Sequence, residues 1–254
     1  MIDLHCHILS GMDDGAKSVE ESLAMAETAI ADGITHVVAT PHSSNRYRFD
    51  FAAVQRVAAE LQKAVGDRLK LATGCDFHLS PENVAALKRN AAPFCIHQRD
   101  YLLVELNEFS IPPAVDQTLY EIQLAGLRPI ITHPERNGII RAQPERLEKW
   151  IRNGCYAQVT GGSLSGTFGP GALETSRAWI ARGLVHFVAS DAHNLTGRPL
   201  KLRASYDAVS SEFGHEKAEA LFVTNPLAAF EGRPLPHVPE ILEGQRKKRR
   251  FLSF

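Results

Sequence analysis

Cysteine is scarce in this chain, and the few present are badly spaced for cysteine chemistry. Cys6, Cys75, Cys95 and Cys155 are the only four in 254 residues, and no two form a C-x-x-C pair. That spacing argues against a zinc ribbon and against a disulfide framework, and leaves them as small buried hydrophobes in or near strands. Thiolate phosphatases need an arginine six residues after the nucleophile; at that offset stand Met12, Pro81, Tyr101 and Gly161. A G-x-S-x-G elbow is missing too, so serine-hydrolase chemistry of that type is not expected. Charge of one sign is not in excess: the net −1 provides no global field to recruit nucleic acid or a membrane surface. No apolar run approaches the roughly 18 residues of a transmembrane helix. The N-terminus enters a strand with no basic-then-apolar leader, so no secretory signal is expected and the cytoplasm is the expected location.

What the chain does have is enough apolar content, 44% of 254 residues, for one large α/β domain. Apolar β-branched runs over 2–7, 35–42, 69–77, 101–106, 129–133, 156–160 and 185–191 read as strands. Helical patterns fall between them, the first opening at Ser18 and stopped by Gly33, the others near 50–65, 81–90, 113–125, 143–153, 171–182 and 201–213. In the first, Ser18 to Glu21 reads as a capping box, and Val19, Leu23, Ala26 and Ile30 as the apolar stripe. Gly33, Gly126, Gly154 and Gly183 stand where a helix hands over to the next strand. Seven βα units without a long linker predict a parallel sheet closed, or nearly closed, into a barrel. The alternative is an open doubly wound sheet, but no Gly-rich dinucleotide fingerprint opens the first unit. A single domain over 1–240 and a basic tail over 241–254 are the expected organisation.

The strand ends carry the chemistry. The chain begins MIDLHCHILSGMDDG, and strand periodicity puts Asp3, His5 and His7 on one face, with the two imidazoles about 7 Å apart. Strand one thus ends in His5 and His7, followed by Asp13 and Asp14. Strand two ends at His42, strand three at Asp76, strand four at Glu105, strand five at His133 and strand seven at Asp191 and His193. Only strand six, ending near Gln158, brings no such residue. In a βα barrel these ends meet at one mouth. Carboxylates and imidazoles are costly to desolvate there unless paired or metal-bound. Imidazole plus carboxylate without thiolate suits Mn²⁺, Fe²⁺ or Zn²⁺. Donors this numerous suggest two or three ions, an arrangement that activates water and clamps a phosphoryl group. Arg136 and Arg198 lie a few residues beyond ligand-bearing strand ends, so each can reach the mouth, and a guanidinium can hold two oxygens of a phosphate monoester.

At these residues the sequence resembles the PHP superfamily. It is most similar to the bacterial manganese-dependent tyrosine-protein phosphatases of capsule and exopolysaccharide operons, the CpsB/CapC/YwqE group. The similarity runs through MIDLHCHILSGMDDGAKSVEES, TPH, YLLVEL, THPER, NGCYAQV, VHFVASDAHNLTGRP and a late FVTNP. It implies a distorted (βα)7 TIM-like barrel. It further implies that His5, His7, Asp76 and Asp191 hold one ion and that Asp76, Glu105 and His133 hold a second, with Asp76 as bridge. Asp14, His42 and His193 would hold a third, Asp14 being preferred to Asp13 because it directly precedes glycine. The bridging position in this group is usually Glu, whereas here GCD supplies an aspartate one methylene shorter. Arg136 and Arg198 would hold the phosphoryl group. The implied activity is hydrolysis of phosphotyrosine with Mn²⁺, on a bacterial tyrosine kinase with a tyrosine-rich tail that controls polysaccharide synthesis.

Alternatives stay open at this stage. One is a PHP phosphoesterase for a small monoester such as histidinol phosphate; another is a non-catalytic metal-binding partner of export machinery. Amidohydrolase-type deacylation is weakened by the absence of a lysine at the end of strand four. The run Arg246 to Arg250 reads either as a solvated tail or as a weak membrane-proximal tether to anionic lipid or an acidic partner.

Overall fold

The computed structural model describes residues 1–242, so the basic run at 246–250 lies outside the described residues. Among the described residues nine strands occur, in chain order: β1 Ile2–Cys6, β2 His36–Ala39, β3 His42–Ser43, β4 Lys70–Thr73, β5 Asp76–His78, β6 Tyr101–Glu105, β7 Arg128–Thr132, β8 Tyr156–Thr160 and β9 Phe187–Ala189. Every pairing is parallel, in the orders β1-β2-β4 and β3-β5-β6-β7-β8-β9.

The second and third predicted strands are each broken in two. Pro41 has no N–H to offer, and the ladder lapses at Thr40-Pro41 and, opposite, at Gly74-Cys75. The strands still run alongside each other across the break. Thr40 N donates to Cys6 O at 2.8 Å and Asp76 N to Pro41 O at 3.2 Å. The circle closes between β1 and the residues after β9: Asp191 N donates to His5 O and His7 N to Ala192 O, both at 2.8 Å. The chain is therefore an α/β barrel of seven parallel staves, two of them interrupted.

Helices Val19–Ala31, Phe51–Val65, Pro81–Arg89, Ala114–Leu124, Pro144–Arg152, Pro170–Ala181 and Arg203–Phe213 follow the staves in turn, close to the predicted spans. The first starts as expected, with Ser18 Oγ accepting from Glu21 N at 3.2 Å, but Glu21 reaches Lys17 N rather than Ser18 N. Its buried stripe is Ser22, Met25, Ala26 and Ala29, with Val19 55% exposed, so the expected Val19 stripe is rotated.

Two apolar cores result. The larger lies between helices and staves, and includes Met25, Val54, Leu61, Leu119, Ile122, Leu147, Trp150 and Trp179. In the smaller, strand residues Leu4, Val38, Leu103, Ile130 and Phe187 pack with Ala228, Ala229 and Phe230 of the late helix Asn225–Phe230. No helix among the described residues is long and apolar enough to cross a membrane.

Candidate active site

The C-terminal ends of the staves meet at one mouth, and the local backbone aims their polar side chains inward. Just past β7 and β9 the chain turns through His133 (φ 33°) and Asp191 (φ 51°), left-handed conformations that non-glycine residues adopt at a cost, and chiefly at functional sites. In β1 the register shifts between Asp3 and Cys6. Asp3, expected on one face with His5 and His7, does not join them: its carboxylate accepts from Ser190 N (2.9 Å), Ser190 Oγ and His5 N (3.3 Å), tying β1 to the end of β9. The DDG turn lies against His7, where a Cβ on Gly15 would sit 2.0 Å from His7 O, so only glycine fits.

The imidazoles are locked by what stands behind them. His5 Nδ1 donates to Gln158 Oε1 (3.0 Å), His7 Nδ1 to Asp13 Oδ2 (2.6 Å) and His193 Nδ1 to Asp191 O (3.0 Å). With Nδ1 committed to these acceptors, each ring turns Nε2 to the interior, where its lone pair is available once the ring is neutral. The Nε2 atoms of His5 and His7 face each other at 3.3 Å, and Asp191 Oδ1 lies 3.5 and 3.4 Å from them. Asp76 Oδ2 lies 3.4 Å from His5 Nε2 and 3.2 Å from His42 Nδ1, and Glu105 Oε2 is 3.5 Å from His42 Nδ1. Asp14 Oδ1 is 3.5 Å from His42 Nε2 and 3.7 Å from His193 Nε2.

Three overlapping donor groups emerge, each with its atoms within 4.8 Å of one another: His5, His7 and Asp76; His42, Asp76 and Glu105; and His7, Asp14, His42 and His193. Asp76 belongs to the first two, as a bridging carboxylate would despite its shorter stem. Asp14 faces the cluster, whereas Asp13 is used up behind it, accepting from His7 Nδ1, Gly15 N and His42 N. His133 stands farther off, its Nε2 at 4.0 Å from Glu105 Oε1.

Metal ions fit this donor set. Ligand-type nitrogens and carboxylate oxygens point at one another, and His42 Nδ1 and Asp76 Oδ2 are buried without a hydrogen-bond partner. Asp13, Asp14, Asp76, Glu105 and Asp191 also outnumber the two nearby guanidiniums, leaving negative charge to be neutralised. The electrostatics of the cluster make the same demand. Burial alone would lower His5 and His42, but Asp76 with Asp191, and Asp76 with Glu105, override it and raise them to about 9 and about 11. Against the cost of burial, His5 and its neighbours hold Asp76 and Asp191 well below the carboxylate range. His133 falls to about 4 through burial and Arg136, and His193 to about 3 through burial and His7, so both offer neutral nitrogens.

Arg136 and Arg198 reach the mouth as expected of their positions, and both ion-pair with Asp191 Oδ2, the oxygen turned away from the imidazoles. Asp191 thus separates a side rich in metal donors from a side rich in cationic ones. All four cysteines are buried, and burial pushes Cys95 and Cys155 to about 12 and Cys6 and Cys75 well above the ordinary thiol value. None is poised as a thiolate.

Three contributors were not foreseen. Gln158, on the one stave without a titratable end, orients His5. His78, whose Nδ1 lies 3.6 Å from Glu105 Oε2, follows Asp76 by two residues, a period-two signal that would have found it. Phe168 stacks under both arginines and has no sequence signature.

This geometry has close counterparts. Residues 1–231 match the family model for capsular polysaccharide synthesis, CpsB/CapC. The chain belongs to the CpsB/CapC family. It is 36% identical to the tyrosine-protein phosphatase YwqE of Bacillus subtilis over 220 residues, covering 85% of this chain and 86% of that one. It is 31% identical to the tyrosine-protein phosphatase CpsB of Streptococcus pneumoniae, covering 89% and 96%. A crystal structure from work on those two proteins, described as unique metal-dependent tyrosine phosphatases, superposes with a TM-score of 0.88 at 33% identity, covering 96% of this chain and 100% of that one. A β-aspartyl dipeptidase from Fervidobacterium islandicum AW-1 shares only the fold, at 14% identity and a TM-score of 0.59.

Proposed function

We propose that this chain is a metal-dependent protein-tyrosine phosphatase. The observation that carries the reading is the two-sided arrangement at Asp191: the imidazoles of His5 and His7 lie against one oxygen, and two guanidiniums against the other. The ligand sets proposed are His5, His7, Asp76 and Asp191; Asp76, Glu105 and His133; and Asp14, His42 and His193, of which the three donor groups contain all but Asp191 and His133. His42 stands between the second and third. Divalent cations held there, Mn²⁺ in this proposal, supply Lewis acidity that acidifies water and offsets phosphoryl charge.

The protein's own residues do the rest. Gln158 and Asp13 fix the tautomers of His5 and His7, so donor nitrogens face inward without reorganisation. Arg136 and Arg198, each mostly buried, bind phosphoryl oxygens and keep the dianion in one orientation. The chemistry favours an aryl ester, because a phenolate of pKa about 10 leaves with less proton assistance than an alkoxide. In a capsular polysaccharide synthesis family, the substrate proposed is a phosphotyrosine protein, in particular a tyrosine kinase controlling that synthesis, and the compartment is the cytoplasm, where such a kinase uses ATP.

The test is hydrolysis of a phosphotyrosine peptide and of histidinol phosphate, side by side, by the metal-loaded protein. The phosphotyrosine peptide should have the higher kcat/KM by at least about tenfold. Preference for histidinol phosphate would replace this reading with a small-metabolite phosphoesterase. Inactivity on both, with the metals bound, would leave a metal-binding partner protein.

A further inference from the structure

Phe168 belongs to no motif, yet its ring lies against both arginines. The guanidinium carbon of Arg136 is 4.4 Å from the ring centroid and that of Arg198 is 5.9 Å. The two cations end on the same Asp191 oxygen, where they repel each other, and an aromatic face is one of the few neutral surfaces that attracts both. We propose that Phe168 is a positioning residue that holds Arg136 and Arg198 together as one phosphoryl-binding pair. What the pair binds rests on the phosphatase reading; how it is held does not.

The segment carrying the ring is built to fix it. A Cβ on Gly162 would lie 3.0 Å from Phe168 Cε2, so glycine leaves the space the ring occupies. Thr167 N donates to Gly162 O and Gly169 N to Gly166 O, both at 2.9 Å, closing the loop on either side. At its base the fully buried Glu135 accepts from Thr160 N (2.8 Å) and Ser163 Oγ (2.7 Å). Glu135 directly precedes Arg136, so the ring and the nearer arginine hang from one anchor.

The experiment uses the metal-loaded full chain with inorganic phosphate as the probe, measured by calorimetry beside kcat/KM on a phosphotyrosine peptide. F168L keeps an apolar side chain and loses the aromatic face; F168Y and F168W keep the face. F168L should weaken phosphate binding and lower kcat/KM by about tenfold each, with metal content and thermal midpoint unchanged. F168Y and F168W should stay within about threefold of the parent. In an R136A/R198A background F168L should have no further effect, because its role passes through those side chains. Unchanged phosphate affinity in F168L, equal losses in the Tyr and Trp variants, or an additive loss in the arginine-free background would each overturn the proposal. If F168L unfolds, F168M replaces it in the same comparisons. A parent protein that binds phosphate but spares phosphotyrosine would sink the phosphatase reading alone, since the phosphate comparison still decides the role of Phe168. A metal-loaded parent that does not bind phosphate would overturn this proposal as well.

Discussion

His5 and His186 are buried alike, at 0% and 1% exposure, at opposite ends of the same barrel, and they titrate in opposite directions. At the closed end, burial and then Lys217 push His186 down to about 3. Its Nδ1 accepts from Ala157 N at 3.3 Å and its ring meets Tyr156 edge-on, so it is a neutral side chain with a partner. At the mouth, the same burial is overridden at His5 by Asp76 and Asp191. Burial therefore does not mark a site. Like donors aimed at one point, with the stabilising charge still to come, do mark one.

The largest expected effect comes from breaking each end in turn. His7→Ala or Asp191→Ala should lower kcat/KM on a phosphotyrosine peptide by a thousandfold or more, with metal content falling. His186→Phe should cost about 1–2 kcal/mol of stability through the unpaired Ala157 N–H, yet leave kcat/KM within about threefold. A full replacement of the four cysteines should also leave kcat within about tenfold. Comparable losses from His186→Phe, in a folded and metal-loaded protein, would erase the contrast between the two ends.

The mouth side of that contrast was legible in the sequence. Seven βα units and the His, Asp and Glu residues at stave ends could be read directly, because buried apolar strands have no packing reason to end in charge. The interruptions at Pro41 and Gly74 were less visible, since the apolar pattern runs through them and only the hydrogen-bond ladder registers the break. Asp13 and Asp14 could not be separated by spacing. What distinguishes them is the turn at Gly15, which presses one carboxylate behind His7 and leaves the other facing His42 and His193. The register shift in β1 redirected Asp3, because period-two reasoning fails across a bulge. Gln158 and Phe168 act through neighbours far away in sequence that the barrel brings together, and neither residue type signals chemistry by itself.

Next in size is the cationic side of Asp191. Arg136→Ala and Arg198→Ala should each lower kcat/KM by roughly a hundredfold, about 2.7 kcal/mol, with metal occupancy unchanged. Lysine should rescue poorly, since it keeps the charge but not the planar two-point contact. Both alanine variants should bind inorganic phosphate more weakly. Wild-type kcat/KM and phosphate affinity in both would make the arginines ordinary surface residues.

Smaller again is the support behind the imidazoles. Asp13→Asn should weaken metal affinity by about tenfold to a hundredfold, because the amide holds His7 in the required tautomer less firmly. Competition with a chelator of known affinity measures it, and an unchanged affinity would assign Asp13 a purely local role in the turn.

The mildest test is pH. In the metal-free protein the folded-state pKa of His5, about 9, exceeds its ordinary 6.5, so its contribution to stability is complete below about 6.5 and is lost as pH rises through 9. Asp3, raised to about 6 by burial despite its bonds to Ser190, acts in the same direction between about 4 and 6. The urea midpoint of metal-free protein should therefore fall between pH 6.5 and 9, while that of metal-loaded protein should not, because metal binding expels those protons. Parallel profiles would show that the acid-rich mouth does not govern stability.

The most direct measurement is metal content and activity followed on one sample. Protein stripped by prolonged chelation should hold no metal and hydrolyse no phosphotyrosine peptide. Re-addition of Mn²⁺ should restore activity as two to three ions per chain bind, and better than Mg²⁺ does. Full activity in the stripped protein, with no metal found by elemental analysis, would contradict the account.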